Sequence, residues 1–299
     1  MAPVCRLTPD RSRPACYYLN DIEFAHRPSA PGFQPLKFHS LKLQLLLPAG
    51  SLAPNAAPHP LVVFVNGGGY HDPQMYVRIP WLSRLAELGY AVAMPQYRGS
   101  ESAFFPAMVQ DVRTAIRFLR THAKTYAIDP EMVVLMGGSA GGHTALLAAY
   151  GGAKFDAPDD DLSVSASVCG VIDLYGPTDV TRMGSMVSET ASELEAAISP
   201  EGRLFGMVDL RKHPEIAADS IVTRYIHPDQ PLPPTLIAHG DADCIVSYTQ
   251  SELLYHALED AGQDVAFYCL DGAAHADPAF FDYNMMKLYS SFIQKVIHR

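Results

Sequence analysis

Much that would mark this chain for other tasks is missing from it. It has no basic excess: 22 Lys and Arg stand against 32 Asp and Glu, a formal charge of −10. Nucleic acids and acidic polymers would be repelled rather than gathered by such a surface, so no nucleic-acid partner is expected. No stretch approaches the ~18 consecutive apolar residues of a membrane span, so no membrane partner is expected either. The opening Met1-Ala2-Pro3-Val4-Cys5-Arg6 runs into Pro and Arg with no apolar segment of signal-peptide length, and a cytoplasmic location is the expectation. Cysteine is sparse, odd in number at five, and never arranged as C-x-x-C. No metal site is expected, and reduced thiols are the default; Cys5 and Cys16 would pair only in an exported protein. Internal repeats and low-complexity segments are absent as well. What is present is a chain of 299 residues, 48% hydrophobic, enough to bury one large core.

Residues 1–35, rich in Pro and Arg, read as an N-terminal arm over the surface of a domain spanning 36–299. Leu36-Lys37-Phe38 and Leu41 to Leu47 alternate apolar with polar residues, as antiparallel edge strands do. From Leu61-Val62-Val63-Phe64-Val65 onward the pattern changes to continuous β-branched and aromatic runs, the mark of strands covered on both faces. Helical segments alternate with these runs: Tyr76 to Leu88 closed by Gly89, a face of Val109, Val112, Ile116 and Leu119 with Asp111, Arg113, Arg117 and Arg120 outside it, Tyr248 to Ala261 closed by Gly262, and Asp277 to Ile297. On the last helix Phe281, Met285, Leu288, Phe292 and Val296 fall on one side, and Asp129-Pro130 breaks the chain ahead of the run at Met132. The rhythm lapses over about 178–230, read as an inserted cap, then resumes at Pro234 to Gly240 and Val265 to Leu270. The expected fold is α/β, a mostly parallel sheet with helices on both faces.

The chemistry centres on Met132 to His143, where an apolar run of strand length stops at Gly137-Gly138-Ser139-Ala140-Gly141 and a helical pattern follows. A strand turning straight into a helix holds such a serine out at the strand's carboxyl end. A hydroxyl needs a base, and the base an acid to hold its tautomer. Asp241-Ala242-Asp243 follows one later strand and His275 the last one, so Ser, Asp and His come in chain order. His275 is favoured as base because it alone lies on a loop after the final strand; His143 and His256 lie on helices and His239 within a buried strand. Asp243 is favoured over Asp241, which follows a tight turn and is expected to bond local amides; Asp173 and Asp179 remain alternatives. Asn66-Gly67-Gly68-Gly69 offers bare amides, and those of Gly67 or Gly68 with that of Ala140 would form an oxyanion hole. This glycine run lacks the Lys-Ser/Thr ending of a phosphate-binding loop. Asn66, Tyr70, His71 and Tyr97, with Met183, Met186 and Met207 of the cap, are candidate lining for a substrate pocket.

These motifs, together with Asp173-Leu174-Tyr175-Gly176-Pro177-Thr178-Asp179 and Gly272-Ala273-Ala274-His275, resemble the α/β-hydrolase superfamily over residues 36–298. Within it they are most similar to feruloyl-esterase-like carboxylesterases and, beside them, hormone-sensitive-lipase-like esterases. The resemblance implies an eight-stranded sheet, catalytic Ser139, Asp243 and His275, no cofactor, and an acyl-enzyme route on small esters with short acyl, acetyl-sugar or hydroxycinnamoyl groups. The family usually carries His before the glycines, where this chain has Asn66. An amidase or formamidase, of the kynurenine formamidase kind, would use the same machinery. A ligand-binding protein on the same fold is the third reading, and a homo-oligomer stays compatible with all three.

Overall fold

The computed structural model describes residues 4–8, 15–30, 33, 36–183 and 192–298. Eight strands form one sheet: β1 (Cys16–Pro28), β2 (Phe38–Pro48), β3 (His59–Val65), β4 (Ala91–Pro95), β5 (Ile128–Gly138), β6 (Gly170–Leu174), β7 (Thr235–Gly240) and β8 (Val265–Leu270). Their spatial order is β1-β2-β4-β3-β5-β6-β7-β8, antiparallel at the first two pairings and parallel from β4 to β8. This is the expected α/β-hydrolase sheet.

Alternation along each strand divides the core. Leu61, Val63 and Val65 of β3 face the layer of α2 (Ala107–Thr121), α3 (Ala140–Tyr150) and α6 (Thr249–Asp260). Val62 and Phe64 face α1 (Ile79–Glu87) and α7 (Tyr283–Ile297). The same division continues in β5, with Val133 and Leu135 on one side and Val134 and Met136 on the other. All are fully buried, and each such aliphatic side chain contributes about 1.5–3 kcal/mol on leaving water.

Four readings need correction. Part of the N-terminal arm is not an arm: Cys16–Pro28 is the edge strand, bonded along β2, with Phe24 and Arg27 turned inward and most other residues exposed. Asp129-Pro130 does not end the pairing; β5 begins at Ile128 opposite His59, and an irregularity absorbs the difference before Leu61 meets Val133. The closing helix starts late. Asp277 caps a short turn at Pro278–Phe281, and Asp282 then caps α7 by accepting from the Met285 amide at 2.8 Å. The buried face of α7 is accordingly Met286, Tyr289, Phe292, Ile293 and Val296, with Met285 and Leu288 only half-buried. Finally, Asp111, Arg113 and Arg117 of α2 are buried, because they pair with Arg98, Asp156 and Asp160 respectively instead of with water.

Between β6 and β7 the described residues form only short pieces: α4 (Glu193–Ala197), α5 (Pro200–Leu204) and single turns at Val180–Arg182, Pro214–Ser220 and Val222–Tyr225. Ser199 caps α5 on the Gly202 amide at 3.1 Å, with Pro200 at the first helical position. No helix among the described residues is long and apolar enough to cross a membrane.

Candidate active site

Ser139 stands between β5 and α3 with φ at 57°, a left-handed conformation that L-residues adopt at a cost. Its amide donates to the Leu174 carbonyl at 2.9 Å, and its carbonyl accepts from His143, so the corner is held from both sides. The approach of the β3 loop is equally tight: a Cβ on Gly67 would sit 2.4 Å from the Gly138 oxygen and 2.9 Å from the Ser139 Cβ. Only glycine fits there.

The Ser139 hydroxyl lies 3.0 Å from His275 Nε2, and His275 Nδ1 lies 2.7 Å from Asp243 Oδ2. The structure therefore brings together the three residues singled out by chain order. Asp243 is further engaged by His239 Nε2 at 3.1 Å and by the amides of Ile245 and Val246 at 2.8 and 2.9 Å. Burial pushes its carboxyl pKa up, but the hydrogen bonds from His239, His275 and the Ile245 amide outweigh it and hold the group well below the carboxylate range. It is an anion throughout neutral pH, which fixes the proton of neutral His275 on Nδ1 and leaves Nε2 to accept from serine.

His239, placed within a buried strand by the sequence, is fully buried and satisfied at both ring nitrogens, and it has a further role beside Asp243. Its Nε2 faces two acceptors, Asp243 Oδ2 and the Val246 carbonyl at 3.0 Å, while Nδ1 meets the Ser251 hydroxyl at 2.7 Å. Nε2–H donates and Nδ1 accepts, so the ring steadies the acid. The available signal was the i, i+4 spacing of His239 and Asp243 across the turn. Asp241 does bond an amide, but a distant one: Gly272, at 2.6 Å, on the loop that carries His275. Asp173 and Asp179 do not reach His275. Asp179 caps the turn at Val180–Arg182, and Asp173 lies buried beneath the elbow, its pKa raised to about 7 by burial against only a backbone bond from Gly176.

The amides of Gly67 and Gly68 donate to no acceptor among the described residues. Both glycines, with Ser139, Ala140 and His275, line a cavity of about 600 Å³, the size of a small-molecule site. Pro177, Met183, Pro200 and Glu201, from the chain between β6 and β7, close its far wall.

The chain is similar to known proteins over most of its length. The BD-FAE family model matches residues 44–258. The chain belongs to the BD-FAE family. Esterase LipQ of Mycobacterium tuberculosis is 32% identical over 231 residues, covering 75% of this chain and 52% of LipQ. The chain spans about half the length of the curated relatives it matches. A structure described as a truncated form of carbohydrate esterase from gut microbiota superposes with a TM-score of 0.78, at 24% identity, covering 97% of this chain and 99% of that one. A bifunctional GH43-CE protein of Bacteroides eggerthii gives a TM-score of 0.75 at 26% identity, over 93% of this chain and 38% of that one.

Within this BD-FAE protein the other proposed lining residues divide. Asn66, Tyr70, His71 and Met183 border the cavity. Tyr97 does not: it is fully buried and its hydroxyl donates to the Asn66 carbonyl at 3.0 Å, supporting the glycine loop from behind. Met207 is exposed and away from the cavity, and Met186 lies outside the described residues. His71, at the rim, is paired with Glu101. Tyr70, at φ 63°, turns its hydroxyl to His143 Nδ1 at 2.9 Å, and His143 Nε2 meets the Ser220 carbonyl at 2.7 Å. Burial lowers the His143 pKa to about 4 against the pull of that carbonyl, so the ring is neutral, accepting from Tyr70 and donating to Ser220. The five cysteines are all free.

Proposed function

We propose that this protein hydrolyses carboxylic esters of small molecules through an acyl-enzyme on Ser139. The observation that carries the reading is the continuous chain from Ser139 Oγ to His275 to Asp243 at 3.0 and 2.7 Å. Ser139 Oγ attacks the ester carbonyl as His275 Nε2 takes its proton, and Asp243 stabilises the imidazolium so formed. The charge that develops on the carbonyl oxygen is met by the amides of Gly67 or Gly68 and of Ala140, the last at the exposed start of α3. His275 returns the proton to the departing alcohol. Water, deprotonated by the same ring, then releases the acid and restores the serine. The chain between β6 and β7 acts as a cap, and a cavity of about 600 Å³ suits a small ester, with acetyl, other short acyl and hydroxycinnamoyl groups all within its reach. The names borne by relatives, esterase and carbohydrate esterase, support ester rather than amide cleavage.

The test is hydrolysis of p-nitrophenyl acetate by wild type and Ser139→Ala. Wild type turns over, and the variant loses at least about 10⁴-fold in kcat. Equal rates, or none in either, overturn the reading.

A further inference from the structure

Among the described residues, eight buried side-chain polar atoms have no hydrogen-bond partner, and three of them belong to residues lining this one cavity: Asn66 Nδ2, Arg78 Nη1 and Glu201 Oε2. Buried polar groups are normally satisfied, so such a cluster around an open space marks where a ligand supplies the missing partners. Glu201 is only 5% exposed, on α5 of the proposed cap. Burial pushes its pKa up, opposed by its own backbone amide and by Ser199, and its Oε2 is left without a donor. Arg78 immediately precedes α1. Its guanidinium lies over Phe281 at 4.9 Å and Trp81 at 5.4 Å, and it forms no ion pair among the described residues. The Tyr175 hydroxyl lies toward it, yet neither that oxygen nor Nη1 closes a hydrogen bond.

Charge selects the occupant. An anionic group would suit Arg78 but meet Glu201, whose desolvated carboxylate already has one oxygen without a donor. A cationic group would suit Glu201 and meet Arg78. A wholly apolar group would leave an acceptor and two donors dry. A hydroxyl both donates and accepts, so a neutral hydroxylated group satisfies both signs of vacancy with a single small substituent.

We propose that Glu201 and Arg78 form a polar subsite that recognises free hydroxyls on the ester substrate, Glu201 accepting and Arg78 donating. Asn66 Nδ2, beside the glycine loop, supplies a third contact close to the reacting ester. The subsite rests on the esterase reading for its kinetic consequence but not for its binding consequence. It makes Glu201 a specificity-determining residue: substrate hydroxyls complete its hydrogen bonding, and an analogue lacking them leaves it dry.

The experiment compares two esters of one acid with the same alcohol skeleton, glycerol 1-monobutyrate and propyl butyrate. Wild type is expected to favour the glycerol ester by at least about tenfold in kcat/KM, since a site built to bond a hydroxyl rejects the analogue without it. Glu201→Leu brings that ratio close to one, and Glu201→Gln gives an intermediate ratio because an amide oxygen still accepts. A wild-type ratio near one, or a ratio that survives in Glu201→Leu, overturns the subsite while leaving the esterase reading intact. If neither ester is hydrolysed, the esterase reading is decided by p-nitrophenyl acetate as above, and the subsite is decided by binding. Saturation-transfer NMR with glycerol 1-monobutyrate on Ser139→Ala should show contact that is lost on adding Glu201→Leu. Equal signal with and without Glu201, or no signal in Ser139→Ala, overturns the subsite.

Discussion

Two of the places where this molecule buries charge are treated in opposite ways. Where α2 meets β1 and the loop at 156–161, Arg98 holds Asp111 at 2.8 Å, Arg113 and Arg117 share Asp156 at 2.7 and 2.6 Å, and Arg27 and Arg117 share Asp160 at 2.8 and 2.9 Å. Nearly every donor and acceptor there is used, Arg27 Nε being an exception. Around the cavity, Glu201 and Arg78 are left with buried atoms unpaired. Paired burial is what a fold can tolerate for its own sake; unpaired burial lowers stability and persists where something outside the chain completes it. The contrast distinguishes a structural ionic cluster from a binding surface without reference to motif.

The contrast can be broken at the paired end first. Asp111→Ala strands Arg98 in the core and is expected to cost about 3–5 kcal/mol in urea unfolding, with kcat per folded molecule retained. A loss below about 1 kcal/mol would mean that the cluster is wet in solution, and the distinction fails. Asp173 tests the intermediate case, a buried carboxyl with a folded pKa of about 7 and no cation beside it. Because that value lies above the ordinary carboxylate pKa of about 3.9, the folded state holds the extra proton, and stability declines as pH rises from about 4 to 7 and is flat above. In Asp173→Asn that decline is absent, read as a pH series of melting temperatures; an unchanged decline would place its source elsewhere. The smallest effect is expected at the unpaired end. Glu201→Leu removes a buried carboxylate that the fold satisfies only in part, so the ligand-free protein should be unchanged or more stable by up to about 1 kcal/mol. Destabilisation comparable to that of Asp111→Ala would show that Glu201 serves the fold.

The same distinction explains what could be read from the sequence. Ser139, Asp243 and His275 were legible because each sits on a loop at a strand's carboxyl end, where chain order and strand spacing fix who meets whom. The parallel strands were legible because burial on both faces leaves an uninterrupted apolar run. Strand β1 was not, since as an edge it buries little more than Phe24 and Arg27 and carries no such run. The arginines of α2 were placed outside because a charge in a helix is ordinarily solvated, and only the distant Asp156 and Asp160 make burial tolerable. Glu201 has no local pattern at all. Its meaning lies in a partner that the chain does not contain, which no spacing rule can reveal.

The bonds from Tyr70 to His143 to Ser220 have a practical consequence for redesign. They tie the glycine loop, the elbow helix and the chain preceding β7 into one mechanical unit, with a neutral imidazole as its rivet. Exchanging the segment between β6 and β7 to alter substrate choice is therefore not a modular operation. A graft must present a carbonyl where Ser220 now does, or the ring loses its anchor and the slack passes through Tyr70 to the glycine loop proposed to bind the reacting oxygen. Successful chimeras will be those whose crossover falls before Ser220 and keeps that contact native.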